Sequence, residues 1–125
     1  MKFTWREGEG WDAGDLVEGE PFVKVHIAAT ALHYGQACFE GLKAFAQADG
    51  TVRLFRPDEN ARRMQRSGDR TMMPALDTEA FVEACARVTR DNLAFVPPYG
   101  SGGALYLRPL LFGSGPRVGL MPSAE

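Results

Sequence analysis

The chain has little of what metal, redox and membrane chemistry requires. Its 125 residues include two cysteines, Cys38 and Cys85, and two histidines, His26 and His33. The cysteines stand far apart and match neither a zinc ligand set nor the framework of a small secreted domain. Reduced thiols and a cytoplasmic location are therefore expected. There is no H-E-x-x-H and no paired C-x-x-C, so no metal site is expected. No apolar run is long enough to span a bilayer, and the opening MKFTWRE is too polar for a signal peptide. A membrane partner is not expected. Charge of neither sign dominates: 14 Lys and Arg stand against 16 Asp and Glu, a net charge of -2, which argues against a nucleic-acid surface. No Walker motif is present, because YGSGG at 99–103 lacks the Gly-Lys-Ser/Thr ending of a phosphate loop.

What is present fits a folded domain. Hydrophobic residues make up 45% and charged residues 24%, the balance of a globular chain long enough to bury a core. Residues 1–21 are rich in Gly, Asp and Glu and predict an irregular segment with weak pairing around Phe3–Trp5. FVKVHI at 22–27 alternates with period two and predicts a strand. The block ALHYGQACFEGLK at 31–43 predicts a strand end that turns through Gly35, makes one helical turn and leaves through Gly41. LKAFA at 42–46 and VRLF at 52–55 flank Ala48-Asp49-Gly50, a strong hairpin signal.

RPDEN at 56–60 predicts a helix start, with Pro in the first turn and acidic residues at the positive end of the dipole. Ala61 and Met64 face the core, and Gly68 weakens the helix end. Asp77 or Thr78 caps a second helix, from Glu79 to about Leu93, with Phe81, Ala84, Cys85, Val88 and Leu93 as its apolar stripe. Residues 96–103 form a loop, 104–112 one long strand, and 113–117 a turn. The sum is an α+β domain with a largely antiparallel sheet and helices packed against it.

Three places could carry chemistry. Tyr34 and Phe39 are either pocket walls or aromatic core filler. Arg63 lies on a helix with Arg62 and Arg66, which reads as a solvated face or as a fork of donors for a phosphate. Arg108 lies in an apolar strand on the same face as Tyr106. If buried it needs a partner, either an internal carboxylate or a carboxylate substrate.

Four motifs, in order, resemble one family. ALHYGQACFEGLK (31–43), LFRPDENARRMQRS (54–67), VPPYGSGG (96–103) and LYLRP (105–109) are similar to branched-chain amino-acid aminotransferases, which are fold-type IV pyridoxal-phosphate enzymes. The likeness covers about residues 22–120. It implies that 22–125 is the small N-terminal domain of such an enzyme, preceded by the irregular segment 1–21. It implies pyridoxal 5'-phosphate as cofactor, with Arg63 holding its phosphate. Tyr34, Phe39, Tyr106 and Arg108 would then shape the substrate side, Arg108 accepting the side-chain carboxylate of glutamate. Val118 and Leu120 match a loop that reaches the pocket of the other subunit, which implies a homodimer.

The implied reaction moves the amino group of leucine, isoleucine or valine to 2-oxoglutarate, so the partners are small amino acids and 2-oxo acids. The family's Schiff-base lysine and much of its phosphate site lie in a larger second domain. Lys2, Lys24 and Lys43 match none of these positions. No catalytic residue is therefore expected within 1–125, and the chain alone is expected to be inactive. Two other readings stand beside this one: a non-catalytic fragment or association module, and a D-amino-acid aminotransferase or aminodeoxychorismate lyase.

Overall fold

A computed structural model describes residues 1–19 and 22–125. The expected boundary at residue 21 and the first residue after it fall at the edge of the two undescribed residues, Glu20 and Pro21. Among the described residues the strands are β1 (Trp5–Arg6), β2 (Gly10–Trp11), β3 (Ala37–Phe39), β4 (Leu42–Ala46), β5 (Val52–Leu54), β6 (Leu105–Leu107) and β7 (Leu110–Phe112). The helices are α1 (Thr30–Tyr34), α2 (Pro57–Arg70) and α3 (Thr78–Asp91), with a 3-10 turn at Leu93–Phe95. The chain divides into two compact units: 1–38 with 65–75 and 110–125, and 39–64 with 76–109.

The first unit carries corrections to the sequence expectations. Residues 22–27 form no strand. Phe22, Val23, Val25 and Ile27 are all exposed, and an alternating pattern makes a strand only where a neighbouring strand takes its hydrogen bonds. The helical turn of the 31–43 block comes before Gly35, as α1, and a strand follows it. Gly35 ends α1 in the left-handed conformation at φ 64°, which glycine adopts without the Cβ penalty. Near the N-terminus, β1 pairs antiparallel with β2, and Lys2 bridges Asp15.

The core of this unit is small and partly polar. Ala29 and Met73 are buried beside Thr30, Gln36 and Ser123. The Gln36 amide donates to the carbonyls of Thr71 (2.8 Å) and Met121 (3.2 Å). Gly113 threads between these groups, its N–H donating to Gln36 O (3.0 Å) and its carbonyl accepting from Ala31 N (3.1 Å).

The second unit is built on β4. It pairs antiparallel with β5 on one side, with Ala44 opposite Leu54, and with β6 on the other, with Lys43 opposite Tyr106. The hairpin is the expected one. Gly50 takes φ 81°, and Asp49 Oδ1 accepts from the Thr51 N–H (2.9 Å) and hydroxyl (2.6 Å). Leu42, Ala44 and Leu107 are buried with Ala61 and Met64 of α2 and with Phe81 and Cys85 of α3. Asp77 caps α3, its Oδ1 accepting from Ala80 N at 2.7 Å. Leu93 lies beyond the helix and is exposed, so it drops out of the predicted stripe.

The long strand expected over 104–112 is two strands. Arg108 and Pro109 separate β6, which pairs with β4, from β7, which pairs with β3. Proline has no N–H to give a ladder, so the pairing breaks there. The α+β class with antiparallel pairing stands, but among the described residues it is divided among three small sheets.

Candidate active site

The second unit brings three of the named residues into contact and sets a fourth, Arg63, on a cleft beside them. Phe39 ends β3, and Tyr106 and Arg108 come from β6 and the residue after it. The Arg108 guanidinium lies 4.3 Å from the centroid of the Phe39 ring and 5.2 Å from that of Tyr106. Both are cation–π distances. Arg108 is exposed, so it does not need the buried carboxylate that the apolar strand suggested. Instead, two aromatic side chains hold it at a surface, leaving its hydrogen-bond donors available to a carboxylate.

Gly41 sits beneath Tyr106. A Cβ at this position would stand 2.2 Å from the Tyr106 hydroxyl, so only glycine lets that ring lie where it does. Here the Gly in FEGLK serves close approach.

Arg63 lies in the second turn of α2, on a cleft of about 350 Å³ also lined by Lys43, Phe45, Phe55, Arg56 and Tyr106. Its guanidinium is gripped along one edge by Glu40, with Nε donating to Oε1 at 2.7 Å and Nη2 to Oε2 at 2.5 Å. Asn60, one turn before Arg63 on the same helix, donates to Glu40 Oε2 (2.8 Å) and to Gly41 O (3.2 Å). The pair is uneven: the Glu40 side chain is 4% exposed and that of Arg63 58%.

Burial pushes the Glu40 carboxyl up, but hydrogen bonds from Arg63 and Asn60 and the charge of Arg63 outweigh it and hold it below its usual value. The Glu40 hydrogen bond and charge raise the pKa of Arg63. The pair is ionised at neutral pH. An arginine has five N–H donors. Glu40 takes two, and the end-on fork of Nη1 and Nη2 remains for a ligand. That donor set, beside Lys43 and Arg56, suits a phosphate dianion.

Neither Glu40 nor Asn60 stood out in the sequence. The available signal is that Glu40 is the one acidic residue in the block 31–43, set between Phe39 and Gly41. Arg62, by contrast, pairs with Asp58 and Glu59 on its own helix. Tyr34, Val118 and Leu120 belong to the first unit. Tyr34 is the last residue of α1, and all three are exposed.

Known proteins carry sequences and folds like this one. No family model matches the chain. A branched-chain-amino-acid aminotransferase of Haemophilus influenzae is 50% identical over 121 residues, which are 97% of this chain and 35% of that protein. The chain is homologous to branched-chain aminotransferases. It spans about a third of the length of the curated relatives it matches. The branched-chain aminotransferase structure from Escherichia coli superposes with a TM-score of 0.62 at 33% identity, covering 81% of this chain and 32% of that one. A branched-chain aminotransferase from T.th., complexed with N-(5'-phosphopyridoxyl)-L-glutamate, gives 0.63 at 29% identity, covering 79% and 31%. The fold is that of the corresponding part of these fold-type IV enzymes.

Proposed function

We propose that the protein carrying this chain is a branched-chain aminotransferase. It transfers the amino group of leucine, isoleucine or valine to 2-oxoglutarate with pyridoxal 5'-phosphate as cofactor. The observation that carries the reading is Arg63: a guanidinium fixed by Glu40 along one edge and lining a cleft, in a chain half identical to such an enzyme over 121 residues. The bound cofactor would supply the electron sink that makes the α-carbon proton removable.

This chain's residues have the remaining tasks. Arg63 would hold the cofactor's phosphate. Phe39 and Tyr106 give an apolar wall for an aliphatic side chain. Arg108, stacked on both rings, turns its donors to the carboxylate of glutamate or 2-oxoglutarate. A pocket with one cation on an aromatic wall takes both substrate types without leaving a buried charge unpaired. On this reading the resemblance gives Tyr34 a substrate-binding role, and Val118 and Leu120 reach the pocket of a second subunit in a cytoplasmic homodimer. The lysine that binds the cofactor comes from outside 1–125, so residues 1–125 alone are inactive. Residues 22–125 are the small domain.

The test is Arg63→Ala in the natural-length protein, with L-leucine and D-alanine compared as amino donors. The wild type accepts L-leucine and retains pyridoxal phosphate through gel filtration, and the variant loses the cofactor. Equal retention by the variant removes Arg63 from the phosphate site. A preference for D-alanine replaces the branched-chain reading with a D-amino-acid one.

A further inference from the structure

We propose that Glu40, backed by Asn60, is a positioning residue that aims Arg63 at a phosphate. This rests on the phosphate reading of Arg63 above and goes beyond it to the group that fixes the arginine. Glu40 is anchored before it grips anything, because its backbone N–H donates to Pro109 O at 2.9 Å. Its carboxylate then takes three hydrogen bonds, two from Arg63 and one from Asn60. Asn60 and Arg63 stand three residues apart on α2 and so face the same way.

A plain structural pair would satisfy a buried carboxylate with an equally buried cation. Here the carboxylate is buried and the cation is more than half exposed. Glu40 holds only the side edge of the guanidinium, formed by Nε and Nη2, and leaves the end-on edge out of the pair. An unheld arginine side chain has large rotamer freedom, which it must give up when it binds a ligand. Glu40 removes that freedom in advance, so the phosphate meets a donor pair already in place. The other cations of the cleft are held less firmly. Arg56 makes one long contact with Glu59, at 3.7 Å and well exposed, and Lys43 is exposed.

The sign of the effect separates this proposal from simple electrostatics. Removing the Glu40 charge leaves Arg63 uncompensated, and Coulomb attraction alone would then tighten a bound phosphate. Loss of the aim loosens it. The experiment titrates the apo form of the natural-length protein with pyridoxal 5'-phosphate and, separately, with pyridoxal, following cofactor absorbance. Pyridoxal has the same ring and aldehyde but no phosphate. Glu40→Gln is expected to weaken pyridoxal phosphate about ten- to thirtyfold, the scale of an arginine's rotamer freedom, and to leave pyridoxal unchanged. In an Arg63→Ala background the same substitution is expected to do nothing more.

Unchanged or tighter pyridoxal phosphate binding by Glu40→Gln overturns the proposal. So does an equal loss for both ligands, which is the mark of a merely structural role. If Arg63→Ala itself leaves the ratio of the two affinities unchanged, the phosphate reading falls and the proposal falls with it. Glu40→Asp keeps the charge but is one methylene short of the two-point grip. It carries the same test, with the same expected selectivity, if Glu40→Gln does not fold.

Discussion

Gly113→Ala puts a methyl group where the first unit has no room for it. The new Cβ would stand 2.2 Å from Thr30 Oγ1, 2.7 Å from Gln36 Oε1 and 3.1 Å from Ser123 Oγ. Ordinary contacts begin about 1 Å beyond the shortest of these distances, so something must move. The backbone of Gly113 is tied on both sides, through its N–H to Gln36 O and its carbonyl to Ala31 N. The Gln36 amide is tied to Thr71 and Met121, and its Oε1 already lacks a partner among the described residues. Overpacking of this kind costs roughly 1–3 kcal/mol, and loosening a Gln36 hydrogen bond adds about 1 kcal/mol. We expect a loss of about 3 kcal/mol, seen in urea unfolding as a midpoint about 1–2 M lower with an unchanged slope. Thr30→Ala removes the nearest atom and is expected to recover about half of the loss when combined with Gly113→Ala. A midpoint that does not move, or strictly additive losses in the double variant, would show that the three oxygens do not confine this position.

Other outcomes follow from single contacts. Asp77→Ala removes the α3 cap on Ala80 N and should cost about 1 kcal/mol in the same unfolding assay, whereas a loss below a few tenths would discount the cap. The Glu40 carboxyl titrates below its usual value because Arg63 and Asn60 outweigh the upward push of burial. Its stabilisation is therefore complete above the unfolded value and lost as pH falls through the folded one. Wild type should lose more stability than Glu40→Gln between about pH 6 and about pH 3, and parallel curves would contradict this. Burial pushes the Cys85 thiol up to about 11, so iodoacetamide at about pH 8 should label Cys85 in urea and leave it untouched in the native protein, since the thiolate is the reactive form. Equal labelling rates would place Cys85 outside the core.

Turn and cap chemistry is legible in this sequence, and strand pairing and the side of a glycine on which helix forms are not. Asp49-Gly50 named the hairpin because the turn's chemistry lies within a few residues. Pro57 with Asp58 and Glu59 name the start of α2 for the same reason, and Asp77 or Thr78 that of α3, where the cap is Asp77. The strand expected at 22–27 failed because alternation describes a surface that suits a sheet without supplying a partner. The strand over 104–112 fails because Pro109 has no N–H for a ladder, however apolar the residues around it. The helical turn of the 31–43 block lies before Gly35 and not after it: the glycine marks a left-handed residue without saying which side is helix. Period two brings Tyr106 and Arg108 together, but the contact of Arg108 with Phe39 depends on β3 and β6, which no spacing connects.

Arg62 and Arg63 show where that limit falls in the site itself. Both are exposed arginines early in α2, one residue apart. Arg62 reaches Asp58 and Glu59, at i−4 and i−3, and the whole pair stays in water. Such a pair is worth about 0.3–0.5 kcal/mol and leaves the arginine free to move. A rotation of about 100° around the helix axis turns Arg63 away from those acids towards Glu40, 23 residues earlier in the chain. There it meets a carboxylate fixed by the main chain and shielded from solvent, so the same kind of side chain becomes a rigid donor. What distinguishes the two arginines chemically is therefore the helix face each occupies and what the fold has placed opposite it. Helix periodicity supplies the first. The second appears only once β3, Gly41 and α2 have been brought together.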